Sequence, residues 1–140
     1  MIDLTSKYGE EVRKKLETEM VIWLTTVTPN GTPQPRPVWF IWQDNKFIVY
    51  SMASAKKLEH IRNNPNVSLQ FNMASHNDAA FIFIGKASII ESPTPVIDIK
   101  EYIEKYSEAI KEIDANTDPE SFNEAYSVRI EITPTKFRVN

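Results

Sequence analysis

The chain has 140 residues and a net charge of −3, from 16 basic and 19 acidic side chains. The length predicts one domain covering residues 1–140, and the acidic balance argues against a nucleic-acid partner. Because cysteine is absent, disulfide scaffolds, thiolate metal sites and cysteine nucleophiles are excluded. No apolar stretch approaches the ~20 residues of a membrane span, and none resembles a signal peptide, so we expect a cytoplasmic protein without a membrane partner.

The N-terminal part of the sequence predicts a helix followed by a strand. Residues 5–19 carry acidic side chains early and basic ones late, which suits the helix dipole. Val12 and Leu16 form a narrow apolar stripe, which is typical of a peripheral helix. Residues 20–27 are β-branched and aromatic, and a turn signal follows them at 28–31.

The next predicted strand begins with prolines. Residues 34–43 have an apolar centre that is approached by proline at every second position, namely Pro33, Pro35 and Pro37. Because proline cannot donate a ladder hydrogen bond, we expect this half of the strand at a sheet edge. A turn at 44–46 leads to a strand at 47–50, so the opening of the chain predicts two successive hairpins, a β-meander.

The second half of the sequence mixes helices and strands. The predicted elements are a helix at 54–64, strands at 67–73 and 79–90, a helix from Pro93 to Ile113, and closing strands at 126–132 and 136–139. The inward residues of the first of these strands are expected to be Val67, Leu69, Phe71 and Met73. In the next strand Gly85 shares a face with large apolar residues, which indicates close approach by another backbone, a bend or a ligand. About six strands, mostly in hairpins, predict a small antiparallel barrel with helices around it.

The strongest chemical signal lies at the start of the second predicted helix. Ser54 is a good N-cap, which would put Lys56 and Lys57 at the second and third helical positions, where two cations oppose the helix dipole. An anion would explain this arrangement, because backbone N–H groups, the hydroxyls of Ser51 and Ser54 and two ammonium groups form a phosphate cradle. Two solvated lysines are the competing interpretation, and the charges alone do not decide between them.

A second candidate is the segment Pro37, Val38 and Trp39, where an aromatic residue on a strand short of ladder donors could flank a planar ring. The alternative is packing, which we expect for at least two of Trp23, Trp39 and Trp42. The sequence has no Walker loop, no GxGxxG and no metal-ligand spacing around its two histidines, so we predict no metal site. Any redox chemistry would then belong to a bound cofactor.

Several motifs follow one another along nearly the whole chain. They are TPNGTP at 28–33, PVWFIW at 37–42, IVYS at 48–51, KLEHIRNNPNVSL at 57–69, GKA at 85–87 and YSVRI with TPTK at 126–136. In this order they resemble the pyridoxamine-phosphate-oxidase-like flavin and deazaflavin reductases. The likeness is greatest to the small subgroup associated with the deazaflavin coenzyme F-420.

The resemblance implies a mainly β, α+β fold, an antiparallel six-stranded split β-barrel of the FMN-binding type with peripheral helices. It also implies a homodimer with FMN or coenzyme F-420 at each subunit interface. The residues expected at the cofactor are Pro37, Val38, Trp39, Tyr50, Ser51, Ser54, Lys56 and Lys57. The lysines would bind the cofactor phosphate with the serines alongside, and Pro37, Val38 and Trp39 would line the ring, largely through backbone atoms.

The chain also departs from the family pattern. His60 stands where asparagine or arginine is usual, and we interpret it as tuning the helix. The chain is short for a pyridoxamine phosphate oxidase, and no stretch matches that enzyme's C-terminal substrate-binding motif, so we do not expect that activity.

The sequence therefore predicts an oxidoreductase that transfers a hydride to or from a small organic substrate, with no residue assigned as general acid or base. The alternative is a non-catalytic flavin-nucleotide carrier or sensor; a barrel that binds single-stranded nucleic acid has little support from the net charge. The choice between FMN and coenzyme F-420 stays open. The acidic tail of the deazaflavin needs an open, positively charged surface where it leaves the binding site. The candidates for that surface are Arg36, Lys86, Arg129 and Arg138.

Overall fold

Seven strands and four α-helices make up the part of the chain that the computed structural model describes, residues 4–5 and 7–140. Their bounds are α1 Gly9–Thr18, β1 Ile22–Val27, β2 Pro33–Val38, β3 Ile41–Gln43, β4 Lys46–Ser51, α2 Lys56–Asn63, β5 Asn66–Gln70, β6 Phe81–Ile90, α3 Lys100–Lys111, α4 Pro119–Ala125 and β7 Val128–Val139. Residue 6 of the first predicted helix lies outside the described residues. No helix within the described ranges is long and apolar enough to cross a membrane.

The strands form one antiparallel sheet in the order β2-β1-β5-β6-β7-β4-β3. β2 and β3 lie at opposite ends of this order, although only Trp39 and Phe40 separate them in the sequence. Because the chain from Val38 to Ile41 spans at most about 11 Å, the sheet must curl until its two edges meet. The result is the predicted antiparallel split barrel with peripheral helices, and we call Trp39 and Phe40 the split.

Side chains of α3 bind the backbone at the split. The Phe40 N–H donates to the Tyr106 hydroxyl at 2.9 Å, and Lys105 Nζ donates to the Phe40 carbonyl at 2.9 Å. The Tyr106 hydroxyl in turn donates to the Met20 carbonyl at 2.7 Å. Because Phe40 bonds to a helix instead of a neighbouring strand, the strand predicted at 34–43 is two strands. The sheet has seven strands, where a six-stranded barrel was predicted.

The predicted β-meander is wrong. β1 with β2 and β3 with β4 do form hairpins, but β2 and β3 do not pair with each other. β2 lies at an edge of the sheet, as its prolines predict.

The two predicted closing strands are one strand, β7, which continues through Thr133 and Pro134. Its register with β6 shifts between Ile84 and Gly85, so a local irregularity accommodates the proline. A Cβ atom at Gly85 would lie 2.6 Å from the Thr133 carbonyl oxygen. The close backbone approach predicted at Gly85 is therefore confirmed.

One apolar cluster fills the barrel and holds α1 and α2 against it. Val12 and Leu16 of α1 and Leu58 and Ile61 of α2 are almost fully buried in this cluster. The inward pattern predicted for β5 holds except at Met73, which is 47% exposed because the strand ends before it.

A second apolar cluster lies between the barrel wall and the two C-terminal helices, and includes Tyr102 and Tyr106 of α3 and Phe122 of α4. The helix predicted from Pro93 begins later, because a short 3-10 turn at Val96–Asp98 precedes α3. Sequence analysis missed α4.

Gly85→Ala is expected to lower the free energy of unfolding by about 1–3 kcal/mol, because the added methyl group overlaps backbone atoms of β7 that cannot move away easily. Urea unfolding followed by circular dichroism measures this loss. Ser88→Ala, at an exposed position of the same strand, is the matched control and should change stability by less than about 0.5 kcal/mol. Equal stability of the two variants would contradict the assigned backbone approach.

Lys105 predicts a pH dependence of stability. Its Nζ lies 3.9 Å from the centroid of the Phe40 ring, and burial lowers its pKa from 10.5 to about 8, while the charge of Glu19 acts in the opposite direction. The unfolded chain therefore binds more protons than the folded chain between these two values, so the stability contribution of Lys105 rises with pH across that window. Lys105→Met is expected to flatten the rise in unfolding free energy between about pH 7.5 and pH 9.5, below the range in which tyrosines ionise.

Lys57 also makes stability rise with pH, because its pKa is lowered too. The contribution of Lys105 is therefore the difference in slope between the wild type and Lys105→Met. Lys111→Met is the control, since Lys111 lies on the same helix but is exposed and paired with Glu108. It should retain the wild-type slope, and an unchanged slope in Lys105→Met would show that Lys105 is not the group responsible.

Candidate functional site

A cleft of about 400 Å³ opens beside the split. Its strand side is formed by Pro37, Val38, Trp39, Tyr50 and Met52. The start of α2 contributes Ser54, Ala55 and Lys57. The remaining lining residues, which we call the helical wall, are Tyr102, Ile113, Phe122 and Tyr126. We call the whole the aromatic cleft, because rings make up much of its lining.

The Trp39 side chain packs on the helices. Its ring stacks on Tyr106, with centroids 4.6 Å apart and planes 6° apart, and on Phe122 at 5.6 Å and 19°. Phe122 stacks in turn on Tyr126 at 4.3 Å. Much of the indole surface is therefore used in packing, so Trp39 would contact a ligand through its backbone and the remaining edge of its ring. Trp42 also packs, against Phe47 in the barrel.

A second pocket, of about 480 Å³, adjoins the aromatic cleft and shares Pro37, Ala55 and Lys57 with it. The other lining residues are Thr26, Thr28, Gln34, Arg36, Lys56 and His60. We call it the basic pocket, because its lysines and its arginine make it strongly positive. An apolar slot and a cationic pocket therefore lie side by side.

The cations of the basic pocket are not neutralised by carboxylates of the described residues. Arg36, Lys56 and Lys57 form no salt bridge with any described residue; the Arg36 guanidinium donates to the Pro35 carbonyl and to the Gln34 side chain. Burial, and then the charge of Arg36, lower the pKa of Lys57 below its ordinary value. A bound anion would counter the repulsion between these cations.

The start of α2 differs from its prediction. The N-cap is Ala55 rather than Ser54, because the Ala55 N–H donates to the Met52 carbonyl at 3.1 Å and this turn delays the helix by one residue. Lys56 and Lys57 are therefore the first and second helical residues. No side chain caps the helix, and the Leu58 N–H donates to the Ala55 carbonyl at 3.2 Å, so the N–H groups of Lys56 and Lys57 are the ones available to an anion.

Most of the predicted site residues lie together. Six of them line the aromatic cleft, namely Pro37, Val38, Trp39, Tyr50, Ser54 and Lys57. Lys56 lines the basic pocket. Ser51 lines neither: it is buried at the end of β4, and its hydroxyl donates to the Met52 carbonyl at 3.0 Å. Ser51 therefore lies apart from the other predicted site residues, and its role beside the phosphate stays a prediction.

Of the cations considered for an acidic tail, only Arg36 lines the basic pocket. Arg129 bonds to Glu131 and to the Tyr50 hydroxyl, Lys86 bonds to Asn66, and Arg138 is exposed on β7.

Sequence reasoning did not place His60 or the helical wall at the site. His60 lines the basic pocket, and its Nδ1 is hydrogen-bonded to the Thr26 hydroxyl at 3.0 Å. The tyrosine spacing of α3 was readable as apolar packing, but nothing local indicated that these rings face a cleft. No cluster of three or more metal-ligating side chains occurs in the described ranges.

Comparison with known proteins agrees with this architecture. A putative pyridoxamine 5'-phosphate oxidase from Listeria innocua is 25% identical, with a TM-score of 0.68 over 93% of this chain and 95% of that one. An F-420 reductase is 24% identical, with a TM-score of 0.69 over 90% of this chain and 94% of that one. The heme storage protein HutZ from Vibrio cholerae is 15% identical, with a TM-score of 0.68 over 96% and 94%.

No curated protein matches the sequence. A family model does match it, and that match extends over residues 8–140, which includes the split, both pockets and all strands of the barrel. The chain therefore belongs to the pyridoxamine 5'-phosphate oxidase family.

Proposed function

We propose that this protein is an oxidoreductase that binds FMN or the deazaflavin coenzyme F-420 and transfers a hydride to or from a small organic substrate. The observation that carries the proposal is the group of unpaired cations, Arg36, Lys56 and Lys57, directly beside the aromatic cleft. A planar ring with a phosphate side chain needs an apolar slot next to an anion site, and this pair of pockets offers both.

The chain's own residues would bind and orient the cofactor. Lys56 and Lys57 in the first turn of α2, with Arg36 from β2, would hold the phosphate. Pro37 and Val38 would line the ring. The ring supplies the hydride chemistry when bound, while the protein supplies position, electrostatics and the exclusion of water.

FMN and the deazaflavin both carry a ring and a phosphate, so the cation group suits either. The F-420 reductase that shares this fold supports the deazaflavin. In this proposal the protein acts in the cytoplasm on a small molecule, with no nucleic-acid or membrane partner.

A carrier or sensor that binds a flavin nucleotide without turnover is the second candidate. It is favoured by the lining of the aromatic cleft, where the described residues include no aspartate, glutamate or histidine that could move a proton. Anaerobic reduction of the bound cofactor, followed by mixing with acceptors, separates the two. An enzyme accelerates reoxidation over the free cofactor, and a carrier does not.

Replacing Lys56 and Lys57 together with alanine is expected to weaken the binding of FMN or coenzyme F-420 by about ten- to a hundred-fold, because two charge-assisted contacts are lost. Fluorescence titration of the purified protein with each cofactor measures this change. The remaining affinity should also depend less on salt concentration.

Lys86→Ala is the matched control, because it removes a cation whose side chain bonds to Asn66 and lines neither pocket. It should bind both cofactors as the wild type does. Equal affinity of the double variant and the wild type would refute the phosphate site. A Soret band in the absorption spectrum of the purified protein, without flavin or deazaflavin absorption, would favour heme instead.

The proposed homodimer has its own test. Met52 and Ile113, each 45% exposed, border the aromatic cleft, and a second copy of the chain would cover such apolar side chains. Light scattering at micromolar concentration is expected to give twice the chain mass, and Met52→Glu to shift the protein toward monomer. A wild-type monomer would contradict this arrangement.

A further inference from the structure

The Tyr102 hydroxyl is hydrogen-bonded to none of the residues that the structure describes. Tyr102 lies on α3, is fully buried and borders the aromatic cleft. Among the buried side-chain polar atoms of the described residues, its hydroxyl oxygen is the one without a hydrogen bond. A buried hydroxyl without a partner destabilises the folded state, so such groups are rare and call for an explanation.

The neighbouring tyrosines do not share this property. The Tyr50 hydroxyl donates to the Thr94 carbonyl and accepts from Arg129 at 3.2 Å. The Tyr106 hydroxyl bonds to backbone groups of Phe40 and Met20. The hydroxyls of these two tyrosines stabilise the fold, whereas the hydroxyl of Tyr102 forms no hydrogen bond within residues 4–5 and 7–140.

The Tyr102 ring is held in place by its surroundings. Its centroid lies 5.6 Å from that of Tyr50, 4.9 Å from that of Tyr106 and 6.2 Å from that of Phe122. Because other rings lie on several sides of it, the Tyr102 ring has little freedom to reorient toward another partner.

The surroundings of Tyr102 favour a planar and largely apolar occupant. Ile113, Phe122 and Tyr126 complete the helical wall, and the cations of the site lie toward the start of α2. Burial raises the pKa of Tyr102 well above its ordinary value. The hydroxyl therefore stays protonated at neutral pH and can offer its proton to an acceptor.

We infer that the helical wall is the substrate side of the aromatic cleft, that it takes planar apolar molecules with a hydrogen-bond acceptor on the ring or its edge, and that the Tyr102 hydroxyl orients this acceptor. The inference rests on the proposed function, because it assigns the substrate side of the same cleft. It makes Tyr102 a residue that determines substrate specificity. The Tyr102 hydroxyl, as a hydrogen-bond donor, distinguishes ligands that carry a hydrogen-bond acceptor from apolar ligands of the same shape.

Two probes of nearly equal shape test this role. Naphthalene has no acceptor, and quinoline replaces one of its CH groups with an acceptor nitrogen. In Tyr102→Phe the affinity ratio of quinoline to naphthalene is expected to fall by about three- to ten-fold relative to the wild type, because one hydrogen bond is lost. Naphthalene binding should stay equal or become tighter. Titrations of the full-length protein, monitored through the NMR signals of the probes, measure both affinities.

Tyr106→Phe is the matched control, since it removes a hydroxyl from the same helix, one that bonds to the split. It should lower stability and leave the affinity ratio unchanged, whereas Tyr102→Phe should keep or raise the midpoint of urea unfolding. A second readout needs no variant: the nitrogen-15 resonance of quinoline should move upfield on binding to the wild type, as a hydrogen-bonded ring nitrogen does.

An unchanged affinity ratio in Tyr102→Phe, or no binding of quinoline to the wild type, would overturn the inference. The probes carry no charge, so the variant that lacks Lys56 and Lys57 should still bind quinoline. That result separates the two proposals, because failure of the phosphate site leaves the helical wall intact.

Discussion

The closure of the barrel at the split is the constraint on which the rest of the structure depends. β2 and β3 occupy opposite ends of the strand order, yet two residues join them, so the sheet must curl and its edges must meet at Trp39 and Phe40. No strand can satisfy the Phe40 backbone there, and Tyr106 and Lys105 of α3 bond to it instead. The helix thus replaces the missing ladder, and the same packing forms one side of the aromatic cleft.

The position of the split explains why two unlike pockets adjoin. The end of β2 brings Pro37 to the start of α2, and this contact is common to both pockets. On one side the rings packed over the split provide apolar surface; on the other, Arg36 and the two lysines of α2 meet without a carboxylate. Cations placed together at a helix start raise the electrostatic energy of the free protein, and a bound anion lowers it. The site is therefore organised for a ligand with one apolar part and one anionic part.

Local signals predicted part of this structure. Alternate prolines mark β2 as an edge strand, a glycine marks the close approach of β6 and β7, and Lys56 with Lys57 marks the cation group at the start of α2, because each depends on residues adjacent in sequence. The break at Phe40 was not readable, since its partner Tyr106 lies 66 residues away. The same holds for the helical wall, which tertiary packing assembles from α3 and α4. The sequence also did not indicate that Ser51 lies away from both pockets, with its hydroxyl bonded to the Met52 carbonyl.

The proline-rich edge has a consequence for behaviour in solution. A barrel that is split keeps two free strand edges, and such edges can recruit strands from other molecules and begin fibre growth. In this chain one edge is β2, where Pro33, Pro35 and Pro37 remove every second donor, and the other is β3, which is only three residues long. Neither can template a long ladder. The two strand edges beside the split are thus protected against aggregation by their own composition and length.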